Sequence, residues 1–339
     1  SSRSDSGPIT FEGLTFANGR ATVEGTAAVT LYETDVTFID CEFRNNRGLV
    51  STTVGGAVYA ADNSAVFFID TLWTGNTSRV GGGALGIRTD VEVYIHNSQF
   101  IDNRSNPDGH LSGASGGAIN VGNSLLRVTN TRFEGNEAGA YGGAIYAIGN
   151  WREPISVPRT DVILANTTFV NNRAARHASV HETFPTEGGA VNVEDQSTLR
   201  IYNSRFINND AHIAGGINSY RAPVEVYGSV FLGNRASGAN GGANFGGAIS
   251  LNSADGPDNG YNNYPPASLI VRDSFFHGRY GGVTSNAGTG GCIFAGGDGN
   301  RIDGHTGVPD MGTVAENRAP VNLERVVLYD CSATGSLSG

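Results

Sequence analysis

Lysine is missing from this chain altogether: all 22 basic residues are arginine, and charged residues make up only 16% of its 339 positions. Acidic groups outnumber basic ones, for a formal net charge of −10. A surface that tracks phosphates needs a basic stripe, so the composition argues against a nucleic-acid partner. We ascribe the missing lysine to codon bias rather than to function. No apolar run approaches about eighteen residues, so no segment reads as a membrane-spanning helix. Leu, Glu and Gln are sparse, Met occurs once, and 49 glycines punctuate the chain. With no 3.6-residue period, this composition excludes a helical solenoid. The chain opens at Ser1 with no signal-peptide pattern, which fits a trimmed, mature or excised segment. The three cysteines, Cys41, Cys292 and Cys331, match no metal spacing, and their odd number rules out a complete disulfide framework.

What fills the chain instead is one phrase, rewritten about ten times. Its anchors are Phe16, Phe43, Trp73, Phe100, Phe133, Phe169, Phe206, Phe231, Phe276 and Leu328. Two residues before each anchor stands a small or modest residue, such as Cys41, Ser98, Thr167 or Ser274. One residue earlier comes a turn-former (Asp40, Asn97, Asn166, Gly228), with Arg325 the exception in the last copy. Apolar residues such as Ile95, Val128 and Ile201 lie two positions before that. Alternation with period two means strand. The parity slips by one at the turn-former, so the chain must bend there for both apolar sets to face inward.

Three residues after the anchor comes a polar file: Asn46, Asn76, Asn103, Asn136, Asn172, Asn209 and Asn234. A Gly-Gly-Ala-Ile corner follows, with pairs from Gly55-Gly56 to Gly290-Gly291 spaced 26 to 46 residues apart. A propeller blade needs about 40 or more residues and four strands. A minimal unit near 27 residues with three short strands suits an all-β, right-handed parallel β-helix of about ten coils. Coils stacked at about 4.8 Å give a rod roughly 45–50 Å long. Equivalent residues then fall in files, each buried Asn amide finds a like neighbour, and no coil buries its own faces alone. The chain reads as one domain over 1–339, with repeats over about 9–333.

The paired motifs Gly-Gly-Ala-Ile and Phe-x-x-Asn resemble the repeats of the polymorphic outer-membrane protein family, the autotransporter-type passengers of chlamydiae. More widely, the chain is similar to pectate-lyase-like right-handed β-helices. The resemblance covers nearly the whole chain. It implies surface display and adhesion, with this chain as a passenger-type segment, since nothing in it reads as the family's C-terminal membrane barrel. Fold does not fix function here, because such rods serve as adhesins, spikes and polysaccharide enzymes alike.

Function in repeat proteins lives in insertions on one face. One series follows the Gly-Gly strand, at about 149–160, 253–266 and 294–320. A second precedes the Gly-Gly pair, at about 104–115, 173–187 and 235–245, and the two flank a groove. The first series carries Trp151 (with Arg152 and Glu153), Asp255, Asp258, Tyr261, Tyr264 and His305. Exposed aromatics beside carboxylates suit sugar binding. Asp298, Asp303 and Asp310 offer oxygen ligands for calcium, although Ile302 breaks the EF-hand pattern. An ordinary polar loop is the alternative for all of them.

The sequons at Asn76, Asn103 and Asn166 coincide with repeat positions expected to be at least partly buried, so they read as by-products of turns rather than as glycan sites. The cysteines read as small buried residues, with a Cys292–Cys331 bond left open. Glu92, Glu225 and Arg272 are outward strand residues that form no recurring cluster, and His96 is an isolated surface histidine. The reading favoured is a non-catalytic extracellular rod at the cell surface, partnered by surface proteins, by glycans or by itself. Bare terminal coils, which invite another chain, would let it stack head to tail into filaments. The rival is a polysaccharide lyase or hydrolase, or a carbohydrate-binding rod, using the groove.

Overall fold

The computed structural model describes residues 7–22, 26–50, 54–106, 114–149, 160–175, 185–237, 245–253, 267–280, 283–284, 291–297 and 320–331. The first coil shows the rule. β1 (Ile9–Glu12) bends into β2 (Thr15–Ala17), then come β3 (Arg20–Ala21) and β4 (Val29–Tyr32). The next coil repeats this order in parallel register, so like strands collect in sheets A, B, C and D. Sheets A and B hold ten strands each, sheet C eight and sheet D nine. The three strands expected per coil are those of sheets A, B and D. The structure adds a fourth, the two-residue strand of sheet C directly after the Asn file. An antiparallel pair, Arg279–Tyr280 with Val283–Thr284, stands outside the stack.

The anchors form one internal file in sheet B. Successive rings from Phe16 to Phe276 stack with centroids 4.0–5.2 Å apart. Such pairs contribute about 0.5–1.5 kcal/mol each beyond the area they bury. Leu328 pairs in register with Phe276 but is 49% exposed, because no described strand lies above it.

The Asn file is a continuous ladder. Each Oδ1 from Asn76 to Asn234 accepts two bonds, from the backbone N–H and the Nδ2 of the rung before it. Each Nδ2 also donates to the carbonyl of an anchor in the coil below, as Asn136 does to Phe100 at 2.9 Å. Every polar atom of a fully buried amide is thereby used, which only Asn at this reach achieves. Gly19 begins the ladder, its N–H donating to Asn46 Oδ1.

A second file runs beside it. Thr71 and Ser98 share a 2.9 Å hydroxyl contact, as do Thr167 and Ser204, and their backbone N–H groups donate along the file. The bend residues preceding it adopt left-handed angles, including Asp40, Asn97 and Asn130. Asn166 belongs to this bend file, with φ 52. It is exposed, against the expectation of partial burial, while Asn76 and Asn103 are fully buried.

Where a described corner has two glycines, they do different work. The first takes positive φ, as at Gly142 (φ 63), where a side chain is disfavoured. The second lies under the next coil: a Cβ on Gly143 would sit 2.0 Å from the Gly189 carbonyl oxygen. Register corrects one sequence alignment. Val191 pairs with Ile217, so Gly188-Gly189 corresponds to Ala214-Gly215, and Gly216 takes the Ala position. Ala214 accordingly holds φ 53.

Cys41 is buried as expected, its Sγ donating to the Phe11 carbonyl. Cys292 is buried at the Ala position. Cys331 is only half-buried, and it is bonded to Cys292 with Cα atoms 5.3 Å apart.

Candidate functional site

The topology brings both insertion series to the two edges of sheet D. The chain runs outside the described residues at 107–113, 176–184 and 238–244 before entering sheet D, and at 150–159, 254–266 and 298–319 after leaving it. The insertions begin later than the sequence suggested. Arg104–Ser105, Arg173–Ala174 and Arg235–Ala236 are sheet C strands, and Ile293–Gly297 is a sheet D strand. The outer face of sheet D, the floor of the groove that the sequence predicts, lies between the points where the chain enters and leaves the sheet.

Strand alternation builds that floor. In Ile145–Ile148, Ile145 and Ala147 enter the core, and Tyr146 points outward. Its file reads Tyr59, Gly86, Asn120, Tyr146, Asn192, Asn218, Ser250 and Phe294. Outward strand residues are ordinarily solvated. Here Asn192, Asn218 and Ser250 are fully buried, and Asn120 and Tyr146 nearly so.

These residues join in one hydrogen-bonded chain. Tyr146 Oη donates to Glu194 Oε2, and Asn192 Nδ2 donates to Glu194 Oε1, each at 2.8 Å. Asn218 Nδ2 donates both to Asn192 Oδ1 and to Glu187 Oε2, again at 2.8 Å. Two carboxylates of one coil are thus linked through two amides. Beside them Asp195 pairs with Arg221 at 2.9 Å, and the Arg221 guanidinium lies 4.4 Å from the Tyr220 ring centroid.

Burial sets the electrostatics. It pushes the Glu194 carboxyl up, and neighbouring Asp195 adds to this, while the Tyr146 and Asn192 hydrogen bonds and Arg221 pull it back. Tyr146 is held well above the usual phenol range, first by burial and then by the Glu194 charge and hydrogen bond. Burial pulls the Arg88 guanidinium down, opposed by Tyr146 and Tyr59. Burial disfavours the charge on one carboxyl, a second carboxylate stands three hydrogen bonds away, and two amides link them. Among the described residues, no three of His, Cys, Asp and Glu gather as a metal-binding group.

The ladder residues Asn46, Asn76, Asn103, Asn136, Asn172, Asn209 and Asn234 stand where the sequence put them. Trp151, Asp255, Asp258, Tyr261, Tyr264 and His305, and the calcium candidates Asp298, Asp303 and Asp310, lie outside the described residues. Glu92 and Glu225 each accept from a tyrosine two residues on, Arg272 pairs with Glu324 at 3.0 Å, and exposed His96 contacts Thr129 Oγ1 at 2.8 Å. All belong to sheet A, away from the groove floor. Sequence reasoning missed Tyr146, Glu187, Asn192, Glu194 and Asn218. The signal was the residue two after the Ala position of the corner, polar or Tyr in five successive coils from Asn120 to Ser250.

A probable autotransporter of Escherichia coli K12, YfaL, is 28% identical over 193 residues, which is 54% of this chain and 12% of that protein. The chain thus spans about an eighth of the length of this curated relative. Crystal structures of the periplasmic alginate epimerase AlgG, one of them a mutant, cover 93% of this chain and 78% of theirs at 11% identity, with TM-scores of 0.33 and 0.31. The family model described as the right handed beta helix region matches residues 2–255. With the four stacked sheets A to D in parallel register, the chain belongs to the right-handed β-helix family.

Proposed function

We propose that this chain is a non-catalytic rod of an extracellular, cell-surface protein, holding its insertions out for adhesion or for assembly with other surface proteins. The observation that carries the reading is the unbroken ladder from Asn46 to Asn234, with the ring file beside it. Such a stack is stiff along its axis and tolerates insertions at its edges. The match to a probable autotransporter supports display outside the cell.

The test is retention of protein-coated beads on cell and abiotic surfaces, compared with variants whose 150–159, 254–266 and 298–319 segments are replaced by short Gly/Ser linkers. Retention that disappears in those variants, with the β-type circular dichroism and melting temperature kept, supports the rod. Retention no better than uncoated beads refutes it.

The rival reading, a polysaccharide lyase or hydrolase or a carbohydrate-binding rod, draws on one observation, the linked Glu187 and Glu194 carboxyls on the groove floor. A depolymerisation screen with and without calcium separates the two. Turnover lost in Glu194→Gln favours the enzyme, and silence across acidic and neutral polysaccharides favours the rod.

A further inference from the structure

Sheet A presents a groove to solvent between two outward files, Phe67, Tyr94 and Arg127 on one side and Ile69, His96 and Thr129 on the other. It holds about 290 Å³ and crosses three coils. Phe67 and Tyr94 stack with centroids 4.9 Å apart and planes 7° from parallel. From the next coil, the Arg127 guanidinium lies 5.8 Å from the Tyr94 centroid. The stack runs along the rod axis, so ring edges rather than ring faces line the groove. On the opposite wall, His96 Nδ1 and Thr129 Oγ1 are 2.8 Å apart. The groove is accessible: Phe67 is 37% exposed, and His96 and Arg127 are exposed as well.

Arg127 is the unpaired cation of this face. Arg200 and Arg272, also on the outer side of sheet A, pair with Asp161 and Glu324 at 3.4 and 3.0 Å. Glu92, on the neighbouring strand, already accepts from Tyr94 Oη at 2.9 Å. Among the described residues, Arg127 has neither a carboxylate nor a hydrogen-bond partner, only the Tyr94 ring. A guanidinium stacked on a ring keeps its N–H edge free, and a carboxylate matches that fork with two parallel bonds. Ring edges carry the positive part of the quadrupole and favour the face of another ring. Side by side, the two preferences select an aromatic group with a carboxylate next to it. The chain's net charge of −10 opposes an acid only weakly here, because charges more than about 8 Å apart are screened at physiological ionic strength. Sites for small molecules bury most of their ligand, and this groove is too open for that. It suits one residue of a larger chain whose bulk stays outside.

We propose that this groove docks an acidic polypeptide, with an aromatic side chain over the Phe67 and Tyr94 edges and an adjacent carboxylate paired with Arg127. The three coils enter sheet A through described turns without insertions, at 62–64, 89–91 and 123–124. The site is therefore separate from adhesion through the insertions, and either reading can fail while the other stands.

The experiment follows the fluorine NMR signal of short peptides carrying para-fluorophenylalanine as the full chain is added. The first peptide places an aspartate after the fluorinated residue and has an amidated end. The second carries a free carboxylate on the fluorinated residue itself, and the third replaces the aspartate of the first with asparagine. At least one of the two acidic peptides should bind saturably in the millimolar range, about tenfold more tightly than the third. Which of them does so tells a side-chain acid from a chain end. Arg127→Gln should remove the preference for the acid, and Phe67→Ser should weaken all three peptides alike. Both residues are exposed, so the β-type circular dichroism should be unchanged in both variants. No saturable binding of either acidic peptide overturns the proposal. So does equal binding of the asparagine peptide, a preference that survives Arg127→Gln, or binding untouched by Phe67→Ser.

Discussion

Asn103 and Asn136 are bonded twice: the backbone N–H and the Nδ2 of Asn103 both donate to Oδ1 of Asn136, each at 3.0 Å. Asn136 passes the pattern on, donating to Asn172 Oδ1 and to the Phe100 carbonyl, each at 2.9 Å. The ladder therefore has a direction, and an amide is required at every rung because each must accept on one side and donate on the other.

Asn136→Asp tests that direction. The aspartate still accepts from Asn103, but when ionised it faces Asn172 Oδ1 and the Phe100 carbonyl with no proton to give. Removing a partner from a buried charged or polar set costs about 3–5 kcal/mol. The buried acid should keep its proton, raising its folded pKa above the unfolded value of about 3.9. The variant's deficit is then smallest below about pH 4, where the acid supplies one of the two protons the amide gave, and grows as pH rises through the folded pKa. Denaturant midpoints at acid and neutral pH check this. An equal deficit at both would mean that the direction of the ladder does not matter.

Gly143→Ala tests the corner. The new Cβ would meet the Gly189 carbonyl oxygen at 2.0 Å and the Arg173 backbone N at 2.5 Å. Both contacts are with rigid backbone of the next coil, so the two coils must part. We expect a loss of about 3 kcal/mol or more. Hydrogen exchange should show it first in residues 185–194, on the coil pressed from below. The substitution Gly135→Asn, at a left-handed bend whose built Cβ meets only the Asp102 side chain, should cost far less.

How much of this was legible follows from what a stacked fold repeats. Phe133 and Asn136 recur because each coil must match the one below, so their roles could be read by aligning copies. The fourth strand was hidden because its two residues, such as Glu137–Ala138, are too short to show a period. Gly215-Gly216 misled because two adjacent glycines look alike in sequence, and only the pairing of Val191 with Ile217 reveals which one makes the corner. Asn166 was read at its true place among the turn-formers, and only its burial was misjudged, because that bend faces solvent. The Tyr146–Glu194 floor was illegible for a different reason. An outward polar residue on a strand is ordinarily solvated, and its burial depends on what lies over the sheet.

The Cys292–Cys331 bond ties the last described coil to the corner of sheet D, beyond the ladder's last rung at Asn234. The bridge closes a loop with a sequence separation of 39 residues. Chain-entropy reasoning puts its contribution at about 4 kcal/mol. In a stack of nearest-neighbour contacts the loss should stay local. Reduction, or Cys331→Ser, should raise hydrogen exchange in 320–331 and 267–277 while leaving Phe43 to Phe206 protected. A uniform loss of protection along the rod would contradict a local role.

Glu194→Gln probes the groove floor. The Glu194 carboxyl is pushed above its ordinary value of 4.5, mainly by burial. The folded state then holds that proton more tightly than the unfolded state does. Stability from this group is fully present below about pH 4.5 and is lost as pH rises through the folded pKa. A neutral glutamine removes the titration while its Oε1 can still accept from Tyr146 Oη. We therefore expect the wild-type chain to lose stability from about pH 4.5 toward neutrality relative to Glu194→Gln, and the difference to level off once the folded-state carboxyl is ionised. The full relative loss should be of the order of 1 kcal/mol for each unit by which the folded pKa is raised. Denaturant unfolding of both proteins across pH 4–8 measures it. Parallel curves would show that Glu194 ionises as it does in water, and that the chain of bonds from Tyr146 to Glu187 offsets its burial in full.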